Sequence, residues 1–485
     1  MGVAEWPGFC GGSYQNFNPL ADDERSVNWF PENIQTNAVN KMVMHPTPGV
    51  EVIGSTATAI GPGTNQTPGK AHLVQSGREF AVIGTGFYEI NSSGAPTFID
   101  TVAIDGNPAT LSSNGEAGGQ IMITSGGNVA IYNFHSGAFT NIPALNGLAT
   151  MGDSLDGYFI ILDADTSTWY FSALNDGLTW VPGTNFVKRS LSSDPWISLK
   201  VVNRYIWLLG QLTSEVWWNS GGFPRPFDPY VTSVMPYGCV ASFSASVGNG
   251  VISWLGASRS GVGQVLQSTG FSPTVVSTYA LSNVLNGYSK LSDAIGDTYT
   301  SRGHTFYLLS FPEQDTTICY DFNTQLWHDR GTWIPEDNEF ISWRPRFHAF
   351  AYGQHRMLDS QTGKIYHMDE SFTTDVDDRV IRRLRQPPPL YNANERIFVS
   401  AFELDMEVGL GNTVDPASDP QVMMRISNDG GKTFGTEHMR SGGKIGEYET
   451  RVMWNRCGQG RRRVFEVSVS DPVPWKLLGA HITTP

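Results

Sequence analysis

Short runs of alternating apolar and polar residues recur along the chain. Each is broken by a Gly, Asn or Asp turn and answered by a second run. Seven such pairs stand out: EFAVIGTGFYEI (79–90), QIMITSGGNVAIYNF (120–134), YFIILDADTSTWYFSA (158–173), YIWLLGQLTSEVWWNS (205–220), VISWLGASRSGVGQVLQS (251–268), TFYLLSFPEQDTTICYDF (305–322) and FAYGQHRMLDSQTGKIYHMD (350–369). Period-2 alternation across a tight turn predicts a β-hairpin, and the Val, Ile, Tyr, Phe and Trp in these runs suit a pleated, half-buried surface. The starts lie about 40 to 54 residues apart, the range of a four-stranded propeller blade. Helical periodicity is almost absent. The pattern predicts an all-β chain built on a β-propeller of six or seven blades, with a tandem of β-sandwiches as the competing architecture.

The flanks differ from the repeat. Residues 1–66 read as an extended, Pro-rich N-terminal arm, with GPGTNQTPG (61–69) as the linker into a propeller over 67–378. RVIRRLRQPPPLYNANER (379–396) joins a basic run to a triple proline, a stiff linker. Residues 397–485 predict a small C-terminal antiparallel β-domain. Its run RVFEVSVSD alternates cleanly, with Val464, Glu466, Ser468 and Ser470 on one face and Phe465, Val467 and Val469 on the other.

Composition sharpens the class. The 52 Gly and 28 Pro, with only 16% charged residues but 40% hydrophobic and 12% aromatic, describe a turn-rich β chain with ample core rather than a disordered one. No stretch approaches the ~20 apolar residues of a membrane span, so insertion into a membrane is not expected. The opening MGVAEWPGFCGGSY lacks the basic and apolar regions of a secretory signal, and Trp6 stands where a myristoylation signal has Ser or Thr. Cys10, Cys239, Cys319 and Cys457 lie far apart with no CxxC pair, which points to reduced, buried thiols rather than a disulfide or zinc site.

Net charge is −14 but uneven. Residues 1–378 hold 17 Lys+Arg against 34 Asp+Glu (−17), and residues 379–485 hold 15 against 12 (+3). Phosphate binding draws on Lys and Arg, so the acidic body suits a wall past which DNA slides better than a DNA grip. A surface acidic for solubility alone is the plainer alternative.

Candidate chemistry is sparse. SNDGGKTF (427–434) fits the Asp-box of sialidase-type propellers through Ser427, Asp429, Gly431, Thr433 and Phe434, and NDGLTW (175–180) is a partial copy. Physically this is a turn, in which Asp caps backbone amides, Gly takes positive φ and the aromatic anchors the hairpin in the core. A working sialidase would also resemble its family in an early Arg-Ile-Pro segment and an arginine triad. The first 150 residues hold only Arg25 and Arg78, neither followed by Ile-Pro. His348, His355 and His367 make no HExxH or other metal spacing. The pairs Asp163/Asp165 and Asp377/Asp378 fall in turns, and no GxSxG, P-loop or dinucleotide fingerprint is present. No catalytic residue, metal or cofactor is therefore expected. Arg461, Arg462 and Arg463, with Arg382 and Arg383 of the basic run, are candidate contacts to DNA or an acidic partner, against a solvated strand end as the bland reading. Trp217, Trp218 and Trp343 are candidate interface anchors or core, and alternation sends Trp217 and Trp218 to opposite faces.

The order of several segments resembles one family. GGSY (11–14), SVNWFPE (26–32), TPGV (47–50), YIWLLGQLTSEVWWNSGG leading to PRPFDP, WLG (254–256), VVST (275–278), and finally RISNDGGKTFG and TRVMWNRCGQGRRRVFEVSVSDPVPW are similar to the packaged-DNA stabilisation, or tail accessory, proteins of podovirus-type phages. Cys457 departs from the Leu common there. The resemblance implies a non-enzymatic virion tail component assembled in the host bacterial cytoplasm. It implies a homo-oligomeric, sixfold ring under the portal and its adaptor ring, closed by a needle or plug and offering a surface to tailspikes or fibres. Packaged DNA would pass through it without sequence-specific binding. The alternative is a sialidase-like propeller that binds or hydrolyses glycans.

Overall fold

Each predicted hairpin forms the middle of a blade, four-stranded in all but the fifth, and the described residues form seven blades. This is seen in a computed structural model describing residues 2–18, 20–36, 41–56, 68–189, 191–223, 225–230, 234–258 and 261–485. Blade 1 runs from Gly69–Gln75 through Arg78–Ile83 and Gly86–Ile90 to Pro96–Thr101. Blades 2, 3 and 4 repeat this meander from inner strands Thr110–Ser113, Met151–Leu155 and Trp196–Val202 to outer strands Phe139–Asn141, Phe186–Lys188 and Phe227–Pro229. In blade 5, Gly238–Cys239 and Ser246–Gly248 share the inner edge beside Val251–Ser258 and Gly261–Thr269. Blade 6 runs from Ile295–Ser301 to Trp327–Ile334.

The middle strands read so clearly because neighbouring blades bury both of their faces. Ile160, Leu162 and Trp169 of blade 3 pack against Trp196, Leu199, Ile206 and Trp217 of blade 4. Alternation holds at the Trp pair: Trp217 is buried and Trp218 is 42% exposed.

Blade 7 corrects the reading of residues 1–66 as a separate arm. Its strands Pro345–Ala351, Gln354–Asp359 and Lys364–Asp369 are completed on the outer edge by Gly49–Ser55, antiparallel, with Ser55 opposite Lys364 and Gly49 opposite Asp369. The early strand closes the circle. Of the expected linker, residues 61–67 lie outside the described residues. The rest of the N-terminal segment belongs to the C-terminal domain, a β-sandwich. One of its sheets contains Trp29–Asn33, Met42–Pro46, Leu477–Thr484, Ala401–Met406 and Val452–Asn455, with Gly2–Glu5 paired to Leu477–Thr484. The other runs Asp23–Val27, Arg383–Gln386, Arg462–Val469, Gln421–Ser427, His438–Ser441. The core between them holds Trp6, Trp29, Phe402, Trp454, Phe465 and Trp475.

The stiff linker over 379–396 is corrected too. Arg383–Gln386 is an interior strand, hydrogen-bonded to Asp23–Val27 on one side and Arg462–Val469 on the other, and all four residues are buried. Arg385 is tolerated inside because backbone carbonyls and a carboxylate receive it. Arg385 donates from Nε to Phe9 O (2.5 Å), from Nη1 to Gly12 O (2.9 Å) and from Nη2 to Gly8 O (3.0 Å) and Glu24 Oε2 (2.6 Å). Asp23–Val27 also bridges, parallel, to Trp327–Ile334 through Val27 and Asp329. Blade 6 and one sandwich sheet are therefore a single sheet of twelve strands.

Candidate partner-contact residues and the propeller channel

Where blade 6 meets the sandwich, Asn28 gathers three segments of chain. Its side chain donates to Gly331 O (2.8 Å) and Arg382 O (2.9 Å) and accepts from Gly331 N (3.1 Å). Its carbonyl accepts from Thr47 N (3.1 Å) and Thr47 Oγ1 (3.0 Å). The backbone sits at φ +56°, a left-handed conformation that Asn adopts more readily than most residues. Sequence reasoning missed Asn28, although a lone amide inside the aromatic run SVNWFPE was the visible signal.

Of the five candidate partner-contact arginines, Arg461 alone is exposed. Arg382 is buried, donating to Glu437 Oε1 (2.7 Å) and Ser468 Oγ (3.1 Å) over the Trp333 ring. Arg383 is buried beside it in chain order. Arg463 is buried and donates to Asn428 Oδ1 (3.0 Å), Gly458 O (2.9 Å) and Cys457 O. Arg462 is half-buried, donating to Leu20 O over the Tyr391 ring. Arg382, Arg462 and Arg463 therefore fasten segments within this chain, and the expectation of a partner contact is corrected for the three buried ones, Arg382, Arg383 and Arg463. Trp343 is buried at the same junction.

The Asp-box residues close on themselves. Ser427 Oγ donates to Asp429 Oδ1 (2.6 Å) and accepts from Gly431 N (2.9 Å). Thr433 donates to Asp429 from its amide (3.0 Å) and hydroxyl (2.6 Å). These donors hold the Asp429 carboxyl down at about 2. Gly431 takes φ +96°. Phe434 is half-buried under the Arg425 guanidinium rather than in the core, and the turn lies on the sandwich, not on a blade.

The inner strands surround a central cavity of about 210 Å³ whose lining includes His72, Thr110, Asp153, Lys200, Asp297 and His348. Most of these polar groups stitch one blade to the next. Asp297 Oδ2 accepts from His348 N (2.7 Å), linking blades 6 and 7. Asp153 Oδ2 accepts from Val201 N (2.8 Å), linking blades 3 and 4. Thr110 Oγ1 accepts from Gly152 N (2.8 Å), and His72 Nδ1 lies 2.9 Å from Phe347 O across the closing seam. At that seam Arg356 donates to Glu79 Oε2 (2.6 Å), Asn91 O (2.9 Å) and Ser92 O (2.6 Å). Burial raises the Asp297 carboxyl to about 6, and burial with the neighbouring His355 lowers His348 to about 3. Asp153 and Asp297 thus each spend one carboxylate oxygen on a bond to the next blade. Among the described residues no group of three or more His, Cys, Asp or Glu could hold a metal, and all four cysteines are free thiols.

A family model described as the β-propeller of bacteriophage P22 Gp10 matches residues 21–373, and one described as its β-sandwich matches residues 382–485. The chain belongs to the bacteriophage P22 Gp10 family. It is accordingly a phage DNA-stabilisation, tail accessory protein of the virion. The propeller model of this family begins at residue 21 and so spans the strands that cross into the sandwich. No curated protein matches. Among solved structures, the chain is similar to virginiamycin B lyase from Staphylococcus aureus (10% identity, 66% of this chain, 99% of that one, TM-score 0.44). It is also similar to YCF48 from Cyanidioschyzon merolae (10%, 66% and 98%, 0.39) and to AztD from Citrobacter koseri (11%, 60% and 80%, 0.36). At these scores the likenesses carry no argument about what this chain does.

Proposed function

We propose that this protein is a non-enzymatic nozzle or hub subunit of a short phage tail. In this reading, six copies close a ring beneath the portal and its adaptor ring, assembled in the host cytoplasm. The ring extends the DNA channel, helps to retain the packaged genome until a needle or plug is released, and carries tailspikes or fibres on its outside. Family membership over residues 21–373 and 382–485 carries the proposal. Two physical features support it. The propeller and sandwich are joined through one twelve-stranded sheet, a continuous body suited to building a tube of fixed bore. The acidic excess over residues 1–378 disfavours adhesion of the DNA backbone to that body. The Asp-box gives no support to the glycan reading, since its polar groups satisfy each other away from the blades.

The test is mass and symmetry by light scattering and negative-stain electron microscopy, for the protein alone and mixed with its portal–adaptor complex. A sixfold ring formed with or on the adaptor is expected. A monomer indifferent to the adaptor, or one that cleaves sialosides, would overturn the proposal.

A further inference from the structure

Two arginines are buried side by side where blade 6, the N-terminal segment and the strand Arg383–Gln386 converge. Arg330 is 3% exposed and Arg383 is 2% exposed. Their Nη2 atoms point to consecutive carbonyls of the link between Met42–Pro46 and Gly49–Ser55, Arg330 to Pro48 O (2.7 Å) and Arg383 to Thr47 O (3.5 Å). Arg330 also lies flat over Trp343, its guanidinium carbon 4.0 Å from the ring centre. The carboxylate set against the pair is Asp375, itself buried, and its oxygens already accept from Thr332 Oγ1 (2.8 Å) and Trp343 Nε1 (3.1 Å). Two guanidinium charges thus face one carboxylate. Among the described residues, Arg330 Nη1 and both Nε and Nη1 of Arg383 have no hydrogen-bond partner. A buried guanidinium with unpaired N–H groups is strongly destabilising unless an acceptor reaches it. Burial and the neighbouring Arg330 push Arg383 down to about 9.

We propose that this junction holds a small inorganic anion of the halide class between Arg330 and Arg383. The chemistry fits on three counts. The excess charge is positive, the unpartnered atoms are all donors, and the burial of Arg330, Arg383 and Asp375 favours a small ion over a partner's side chain. The anion would seal the joint between propeller and sandwich, independently of any ring the protein forms.

Full-length protein is crystallised and soaked in bromide, and its thermal unfolding is followed in sodium bromide and sodium gluconate at equal ionic strength. The expected result is an anomalous peak between the two guanidinium groups, with an unfolding midpoint about 2 °C or more higher in bromide. The difference should vanish in Arg383→Met, which keeps most of the volume and removes the charge. No peak in the unmodified protein would overturn the proposal and assign those donors to water, whatever the variant's folding. A bromide effect of equal size in Arg383→Met would overturn it as well, by placing the stabilising ion elsewhere.

Discussion

The outer strands of blades 3 and 6 occupy equivalent places and meet opposite fates. In blade 3, Phe186–Lys188 is three residues long, with Val187 buried, Phe186 half-buried and Lys188 in solvent. In blade 6, Trp327–Ile334 is eight residues long and mostly buried, because Asp23–Val27 pairs with it and Glu339–Ser342 covers its far end. A free sheet edge invites pairing with other chains, and shortness with a lysine is a common way to blunt it. The blade 3 edge has that blunted form, and the blade 6 edge has been spent on joining two domains. Identical propeller positions are thus either surface or structural joint, according to whether a distant segment returns to them.

Removing the sandwich-side anchor of that joint should have the largest effect. Trp29→Ala empties a fully buried site whose indole donates to Trp475 O (3.4 Å). It should cost about 3–5 kcal/mol, read from the urea midpoint. Asn28→Ala should follow at about 2–4 kcal/mol, because it leaves Gly331 and Arg382 backbone groups unpaired at a left-handed position. Asn28→Gly should lose roughly 1 kcal/mol less, as glycine adopts that φ freely. A loss equal to or smaller than that of a blade 3 edge variant would remove Asn28 from the joint.

The inner edge of blade 6 offers a pH test. Asp297 is raised to about 6 when folded, above the usual carboxylate value, so the native state binds its proton more readily than the unfolded chain. Its contribution to stability is therefore most favourable below pH about 4 and declines as pH rises through 6. Asp297→Asn should flatten that part of the stability–pH curve, and an unchanged slope would contradict the shift. The smallest effect belongs to the free edge: Lys188→Ala should stay within about 0.5 kcal/mol by the same urea measurement.

Legibility in the sequence followed the same division. Strands with two buried faces announced themselves, and all seven hairpins fall on the middle strands. Inner strands such as Thr110–Ser113 mix polar channel-facing residues into their pattern, and outer strands such as Phe139–Asn141 are too short and exposed to show a period. The N-terminal strands looked unpartnered because their partners lie more than 300 residues away, as Val27 and Asp329 do. The arginines of 379–396 suggested a solvated linker because charge pattern alone does not reveal the carbonyls of Phe9, Gly8 and Gly12 waiting to receive Arg385. At the Asp-box, turn chemistry is local, so its internal bonding was readable from residue spacing. The position of Phe434 depended on Arg425 and was not.

The strand Gly49–Ser55 also sets an order of events during synthesis. It leaves the ribosome before any of the seven blades, and the strand it must pair with, beginning at Lys364 opposite Ser55, is translated about 310 residues later. At ordinary elongation rates that is roughly 15–60 s. For that interval Gly49–Ser55 waits without the blade partner it will have, and the six blades made in between must stack without it.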